Sequence, residues 1–185
     1  ELQLQVLKQL DNPTLVAADT MNFWIEGSNA ALRETLKHVD LLSINDGEAR
    51  LLSGEYNLRH AAKVIREMGP KILVIKRGEY GALLFVDDEI FSAPAYPLEV
   101  IRDPTGAGDT FAGGMLGFLS QQGRVDEGTL RQSIIVGSAM ASFVVEDFSL
   151  GRMRTLDRST IEARFKEFNR LTHFDQNGLV VGERG

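Results

Sequence analysis

The 185-residue sequence contains no cysteine, which removes a disulfide scaffold, a thiolate nucleophile and any cysteine-ligated zinc or iron–sulfur centre. Histidine is scarce, and His38, His60 and His173 are far apart in the chain. No apolar run approaches the roughly 18–20 residues that a membrane-spanning helix needs, and no basic segment followed by an apolar stretch resembles a signal peptide. A cytoplasmic location is therefore expected, with no membrane partner. Positive charge is in deficit: 20 lysines and arginines face 26 acidic residues, a net charge of −6 that disfavours a nucleic acid as the main partner. What is present is 43% hydrophobic and 25% charged residues, the proportions of an ordinary globular domain that needs no staples to build a core. The chain opens on Glu1, and ELQLQVLKQL reads as part of a helix feeding a strand around Leu15, so a longer parent chain is expected.

Apolar periodicity predicts helices alternating with short apolar strands, the pattern of a mostly parallel sheet covered by helices on both faces. Thr14–Ala18, Asp40–Ile44 and Lys71–Lys76 read as buried strands. Asn29–His38 and Leu58–Met68 read as helices, the second stopped by Gly69-Pro70. GALLFVDDEIFSAPAY changes texture and predicts an antiparallel hairpin turning near Asp87-Asp88. A glycine-rich turn then opens a helix over Thr105–Leu119. Gly128–Val145 reads as a buried helix, Leu156–Leu171 as a charged amphipathic one, and the tail from Thr172 has no clear pattern.

The chemistry concentrates in DPTGAGDTFAGG, Asp103–Gly114. Gly106, Ala107 and Gly108 leave the backbone nearly bare where a helix begins, so free N–H groups can converge on an anion with the helix dipole behind them. Asp109 stands at the edge of this turn, placed to take a proton from a hydroxyl nucleophile. Read alone, the segment could equally be a tight strand-to-helix connection with Asp109 as a first-turn stabiliser. Two nucleotide motifs are excluded: no Gly-Lys pair exists for a Walker A loop, and Phe111 stands where a Rossmann fingerprint requires its third glycine. Upstream, Asn45 and Glu48 in INDGEARLLSG stand three apart at a strand end. That spacing suits a carboxylate facing a hydrated magnesium ion, or a helix N-cap completed by Glu48 as a capping box. VIKRGEYG offers Lys76 to a phosphate and a loop with Gly78 and Gly81 that can pass close to a nucleotide, or else a plain turn with a solvated lysine.

With these flanks, DPTGAGDTFAGG closely resembles the second signature of the ribokinase-like, or PfkB, carbohydrate and nucleoside kinases, and INDGEARLLSG resembles the family's Asn-x-x-Glu motif. The resemblance implies a three-layer α/β/α fold. It makes Gly106, Ala107 and Gly108 the anion hole, Asp109 the catalytic base, Asn45 and Glu48 the organisers of Mg2+ through water, and Lys76, Gly78 and Gly81 contacts of ATP. Asp103 and Thr105 resemble positions that hold a monovalent cation such as K+, although Asp103 also suits a turn before Pro104. The family commonly has asparagine at an adenine-contacting position about where Gly137 stands. Asp19 and Asn22 in ADTMNFW depart by one residue from a family pattern and read as a strand-end turn, while Trp24 and the phenylalanines read as core or interface.

The resemblance runs from about Leu15 to Leu171 and matches only the later part of a family member. It implies that residues 1–171 are the nucleotide-binding, phosphoryl-transfer portion, followed by a tail over 172–185. The early glycine-rich signature, most acceptor-gripping residues and the small β-sheet lid have no counterpart. The implied reaction is ATP-dependent phosphorylation of a hydroxyl on a small sugar or nucleoside, with homodimerisation of a full-length protein through its lid. Two alternatives stay open: a catalytically incomplete nucleotide-binding, pseudokinase or regulatory module, and an α/β interaction domain whose glycine loop binds another anion.

Overall fold

The computed structural model describes residues 2–173. Helix α1 (Leu2–Leu7) precedes β1 (Ala17–Asp19), α2 (Asn22–Gly27), α3 (Asn29–Leu36), β2 (Leu41–Asn45), α4 (Asp46–Ser53), α5 (Leu58–Arg66) and β3 (Ile72–Lys76). A hairpin of β4 (Ala82–Val86) and β5 (Glu89–Ala93) follows, and then α6 (Ala107–Gln122), α7 (Glu127–Val144) and α8 (Arg158–Thr172). Among the described residues no helix is long and apolar enough to cross a membrane. The tail expected from Thr172 onward lies, beyond His173, outside the described residues.

The five strands form one mixed sheet in chain order. β1, β2 and β3 are parallel, because helices carry the chain back between them, whereas β3–β4 and β4–β5 are antiparallel. The hairpin turns at Asp87-Asp88 as the sequence predicts, with Asp87 at φ 47°, the left-handed geometry that two-residue hairpin loops favour.

Alternation along the strands divides the apolar residues into two cores. Leu42, Ile44, Leu73, Ile75 and Phe85 pack with Ile25, Leu36, Ala49, Leu52, Ala62 and Ile65 from α2–α5. Leu41, Ile72, Val74, Ala82, Leu84 and Ala93 pack on the other face with Phe111, Met115 and Leu119 of α6 and Leu130 and Ile134 of α7. This is a helix–sheet–helix sandwich, and it explains why the central strands read as unbroken apolar runs: both of their faces are buried.

The element boundaries differ from the sequence reading for local reasons. The first strand begins at Ala17 instead of Thr14, because pairing starts only where β2 comes alongside: Val16 donates its N–H to Asp40 Oδ2 at 2.8 Å and accepts from the Asp40 amide. The segment read as a turn after Asp19 forms α2, whose single buried residue, Ile25, gives too weak a periodic signal. Phe23 and Trp24 stay largely exposed and stack edge to face at 5.0 Å, outside either core. Helix α8 docks through fully buried Phe168 and through Arg164, whose guanidinium bonds Glu146 Oε1 at 2.6 Å and lies over the rings of Phe143 and Tyr96.

Helices α6 and α7 approach closely enough to need glycine on both sides. A Cβ on Gly114 would stand 2.8 Å from Met140 Cγ, and one on Gly137 would stand 2.8 Å from the Phe111 carbonyl oxygen. The latter contact is with backbone and has no cheap relief. Gly137→Ala is expected to destabilise by about 1–3 kcal/mol in urea denaturation. Gly113→Ala, where a Cβ meets nothing within 4 Å, should be neutral or stabilising by up to about 1 kcal/mol through helix propensity. Equal losses in the two variants would show that the α6–α7 approach is not the constraint.

Candidate active site

Three parallel strands end side by side in polar residues: β1 in Asp19, β2 in Asn45 and β3 in Lys76. The register pairs Asp19 with Ser43 and Asn45 with Lys76, so these ends form one carboxyl-terminal edge. Ligands of open α/β sheets bind outside this edge. A cleft of about 620 Å³ between α5 and the β4–β5 turn lies at the opposite end of β3, lined by Lys63, Arg66 and Glu89 among others, and contains none of the predicted site residues.

Helix α6 points its N-terminus at the polar edge. Its N-cap is Gly106, in the left-handed conformation at φ 79°, and no side chain caps the helix. The three amides of the predicted anion hole are not equivalent. Ala107 N–H is spent on the Pro104 carbonyl at 3.2 Å, while among the described residues the Gly108 and Asp109 amides have no hydrogen-bond partner. The unpartnered donors of this 16-residue helix are thus the Gly108 and Asp109 amides, the amide of its N-cap Gly106 is likewise without a partner among the described residues, and Asp109 itself is exposed in the first turn. Lys76 meets this turn from below: a Cβ on Gly108 would lie 3.3 Å from its Nζ. An ammonium, two free amides and a helix N-terminus at one spot suit a polyphosphate.

Asn45 and Glu48 are joined as a capping box at the start of α4. Glu48 N–H donates to Asn45 Oδ1 at 2.8 Å, and Asn45 N–H donates to Glu48 Oε2 at 2.7 Å. The capping alternative is thus realised, and it leaves Glu48 Oε1 outside the cap. Burial pushes the Glu48 carboxyl above its ordinary range, the Asn45 amide pulls it back, the Asp19 carboxylate raises it further and Lys76 lowers it. Among the described residues no three carboxylate or histidine side chains gather as a metal cage, so the donor set fits only a magnesium ion that keeps its water and is held mainly by phosphates.

The remaining predicted residues lie in turns and at a helix contact. Gly81, at φ 82°, lies against the end of β5, where a Cβ would stand 2.0 Å from the Ala93 carbonyl oxygen; Gly78 is exposed and starts a short 3-10 turn. Gly137 is buried against Phe111 and offers no surface to a base. Asp103 Oδ1 accepts from the Thr105 amide at 2.9 Å, and the Thr105 bonds hold its carboxyl below the usual range. This is the turn reading of Asp103.

Sequence reasoning placed Asp19 in a strand-end turn and missed its meeting with Lys76, whose Nζ stands 3.3 Å from Asp19 Oδ2. The available signal was positional: Asp19 closes a parallel strand as Asn45 and Lys76 do.

Glu48→Gln separates the two roles of that residue. Glutamine completes the same capping box without a buried charge. A carboxyl raised by the fold is favoured in its neutral form, so its stabilisation is present below the unfolded value and is lost as pH rises through the folded one. The glutamine variant should melt at or slightly above the wild-type temperature at pH 8, with the difference closing as pH falls toward about 4. A lower melting temperature at pH 8 would show that the cap requires the ionised carboxylate.

The comparisons with known proteins agree with this geometry. The profile of the pfkB family carbohydrate kinases matches residues 5–155. The cytidine kinase of Thermococcus kodakarensis is 39% identical over 98 residues, covering 52% of this chain and 35% of the relative. Among solved structures, the ribokinase of Thermotoga maritima superposes with a TM-score of 0.70 at 26% identity, over 88% of this chain and 52% of that one. An E. coli protein assigned as ribokinase II, in complex with ATP and Mg2+, gives 0.64 at 29% identity, over 78% and 45%. The chain thus spans about half the length of these structures or less. With a matching profile over most of its length and a three-layer fold shared with ribokinases, the chain belongs to the pfkB family of carbohydrate kinases.

Proposed function

We propose that this chain is the phosphoryl-transfer half of an ATP-dependent kinase that phosphorylates a hydroxyl of a small sugar or nucleoside. One observation carries the reading: the unpartnered amides at the start of α6 lie with the Lys76 ammonium at the carboxyl edge of the sheet, and Asp109 stands in the same first turn. Family membership supports ATP as the donor, and the names of the relatives support a sugar or nucleoside acceptor.

In this reading Lys76 and the Gly108 and Asp109 amides hold the phosphate oxygens, and Gly106 keeps the helix end open for them. A magnesium ion held here would supply charge neutralisation for the phosphates. Glu48 offers its uncapped oxygen to the water around that ion. Asp109 accepts the proton of the acceptor hydroxyl as its oxygen bonds to the γ-phosphorus. The bond to the bridging oxygen breaks in line, leaving ADP and a phosphate ester. The proposal contains no monovalent cation.

The test is an ATP-consumption screen of the full-length protein against sugars and nucleosides, followed by variants on the acceptor that turns over. Asp109→Asn is expected to lower kcat by about 10²–10⁴-fold. His60→Ala, on the exposed face of α5 and away from the carboxyl edge, should leave kcat unchanged. Wild-type turnover by Asp109→Asn would sink the assignment of the base. ATP binding with no turnover of any acceptor would favour a non-catalytic module instead.

A further inference from the structure

We propose that Asp19 is a positioning residue for Lys76: its carboxylate holds the ammonium over the first turn of α6, and this placement sets the affinity for nucleotide. The inference deepens the kinase reading above and rests on it.

Lys76 stands in an unfavourable place for a cation. The N-terminus of α6 is the positive end of a long helix, and a lysine beside it is repelled until an anion arrives. Its four-carbon stem is flexible, so something must keep the ammonium there in the empty site. Asp19 does so from 57 residues away in sequence, with Oδ2 at 3.3 Å from Nζ. Strand parity makes the meeting possible. Ala17 packs on the α6 face of the sheet, and so do Ile72 and Val74, which puts Asp19 and Lys76 on that same face at the edge. The lysine side chain is only 17% exposed, whereas Asp19 is 41% exposed, so the carboxylate reaches solvent while the ammonium depends on its protein partner.

A second observation concerns what Asp19 does once phosphates draw the lysine away. Ser43, its register partner on β2, is 2% exposed, and its hydroxyl makes no hydrogen bond among the described residues; the same is true of the Thr20 hydroxyl at 8% exposure. The register sets Ser43 beside Asp19 on the neighbouring strand, with the parity of Leu41 and hence on the same face of the sheet. In this proposal Asp19 partners Lys76 until nucleotide binds and turns to the Ser43 hydroxyl once phosphates draw the lysine away. This lowers the cost of handing the lysine to a phosphate.

A double-mutant cycle tests the coupling. Binding of a non-hydrolysable ATP analogue with Mg2+ is measured by calorimetry on the full-length protein and on Asp19→Asn, Lys76→Met and the double variant, with KM and kcat alongside. Each single variant is expected to bind about tenfold more weakly, and the double variant no more weakly than Lys76→Met alone. For Asp19→Asn the change should fall in KM for ATP, with kcat within about threefold of wild type. If Asp19→Asn does not fold, Asp19→Glu replaces it, and affinity within about threefold of wild type is expected because the charge is kept. Independent, multiplicative effects of the two substitutions overturn the proposal. So does a raised Mg2+ requirement that persists for Asp19→Asn in the Lys76→Met background, which would make Asp19 a contact of the hydrated metal. Absence of analogue binding by the wild-type protein removes the kinase reading together with this inference, whereas wild-type binding with multiplicative effects removes this inference alone.

Discussion

Parallel pairing of β1, β2 and β3 in one register is the constraint on which the site depends. It brings Asp19, Asn45 and Lys76, separated by dozens of residues in the chain, to a common edge. A slip of one residue in either pairing would turn an edge residue to the other face, since strand side chains alternate. The buried apolar rows hold that register. Leu41, Ile72 and Val74 have places only in the core beneath α6 and α7, and Leu42, Ile44, Leu73 and Ile75 only in the core beneath α2–α5. The hydrophobic pattern thus fixes the polar site at the strand ends indirectly.

The other half of the site is positioned by close packing of helices. Gly114 and Gly137 let α6 lie tightly on α7, and Phe111, Met115 and Leu119 press α6 onto the sheet. The N-terminus of α6 then reaches the end of β3, where Gly108 leaves room for the Lys76 ammonium. Each glycine in this region answers a different demand. Gly106 takes a left-handed backbone, Gly108 makes space for a charge, and Gly114 and Gly137 serve helix contact. The sequence shows one glycine-rich stretch, and the structure resolves it into distinct functions.

The electrostatics of the edge set opposite charges side by side. Lys76 and the helix end supply positive potential, and the Asp19 carboxylate offsets it beside Glu48, whose carboxyl burial pushes up. Burial of Glu48 beside Asp19 is costly, and the capping box tolerates it because the Asn45 amide supplies a hydrogen bond in return.

The sequence by itself determined the layered α/β architecture, the hairpin at Asp87-Asp88, the glycine-rich turn that opens α6 and the pairing of Asn45 with Glu48. All of these are written in local periods and short spacings. Only the tertiary structure decided that Gly137 and Gly81 serve packing, that Asp103 closes a turn, that the Ala107 amide is spent, and that Asp19 meets Lys76. The physical reason is range. Capping, turns and alternation act over a few residues and leave a mark in the order of amino acids. Helix–helix approach and a salt bridge across 57 residues depend on register and packing, which no short stretch of sequence contains.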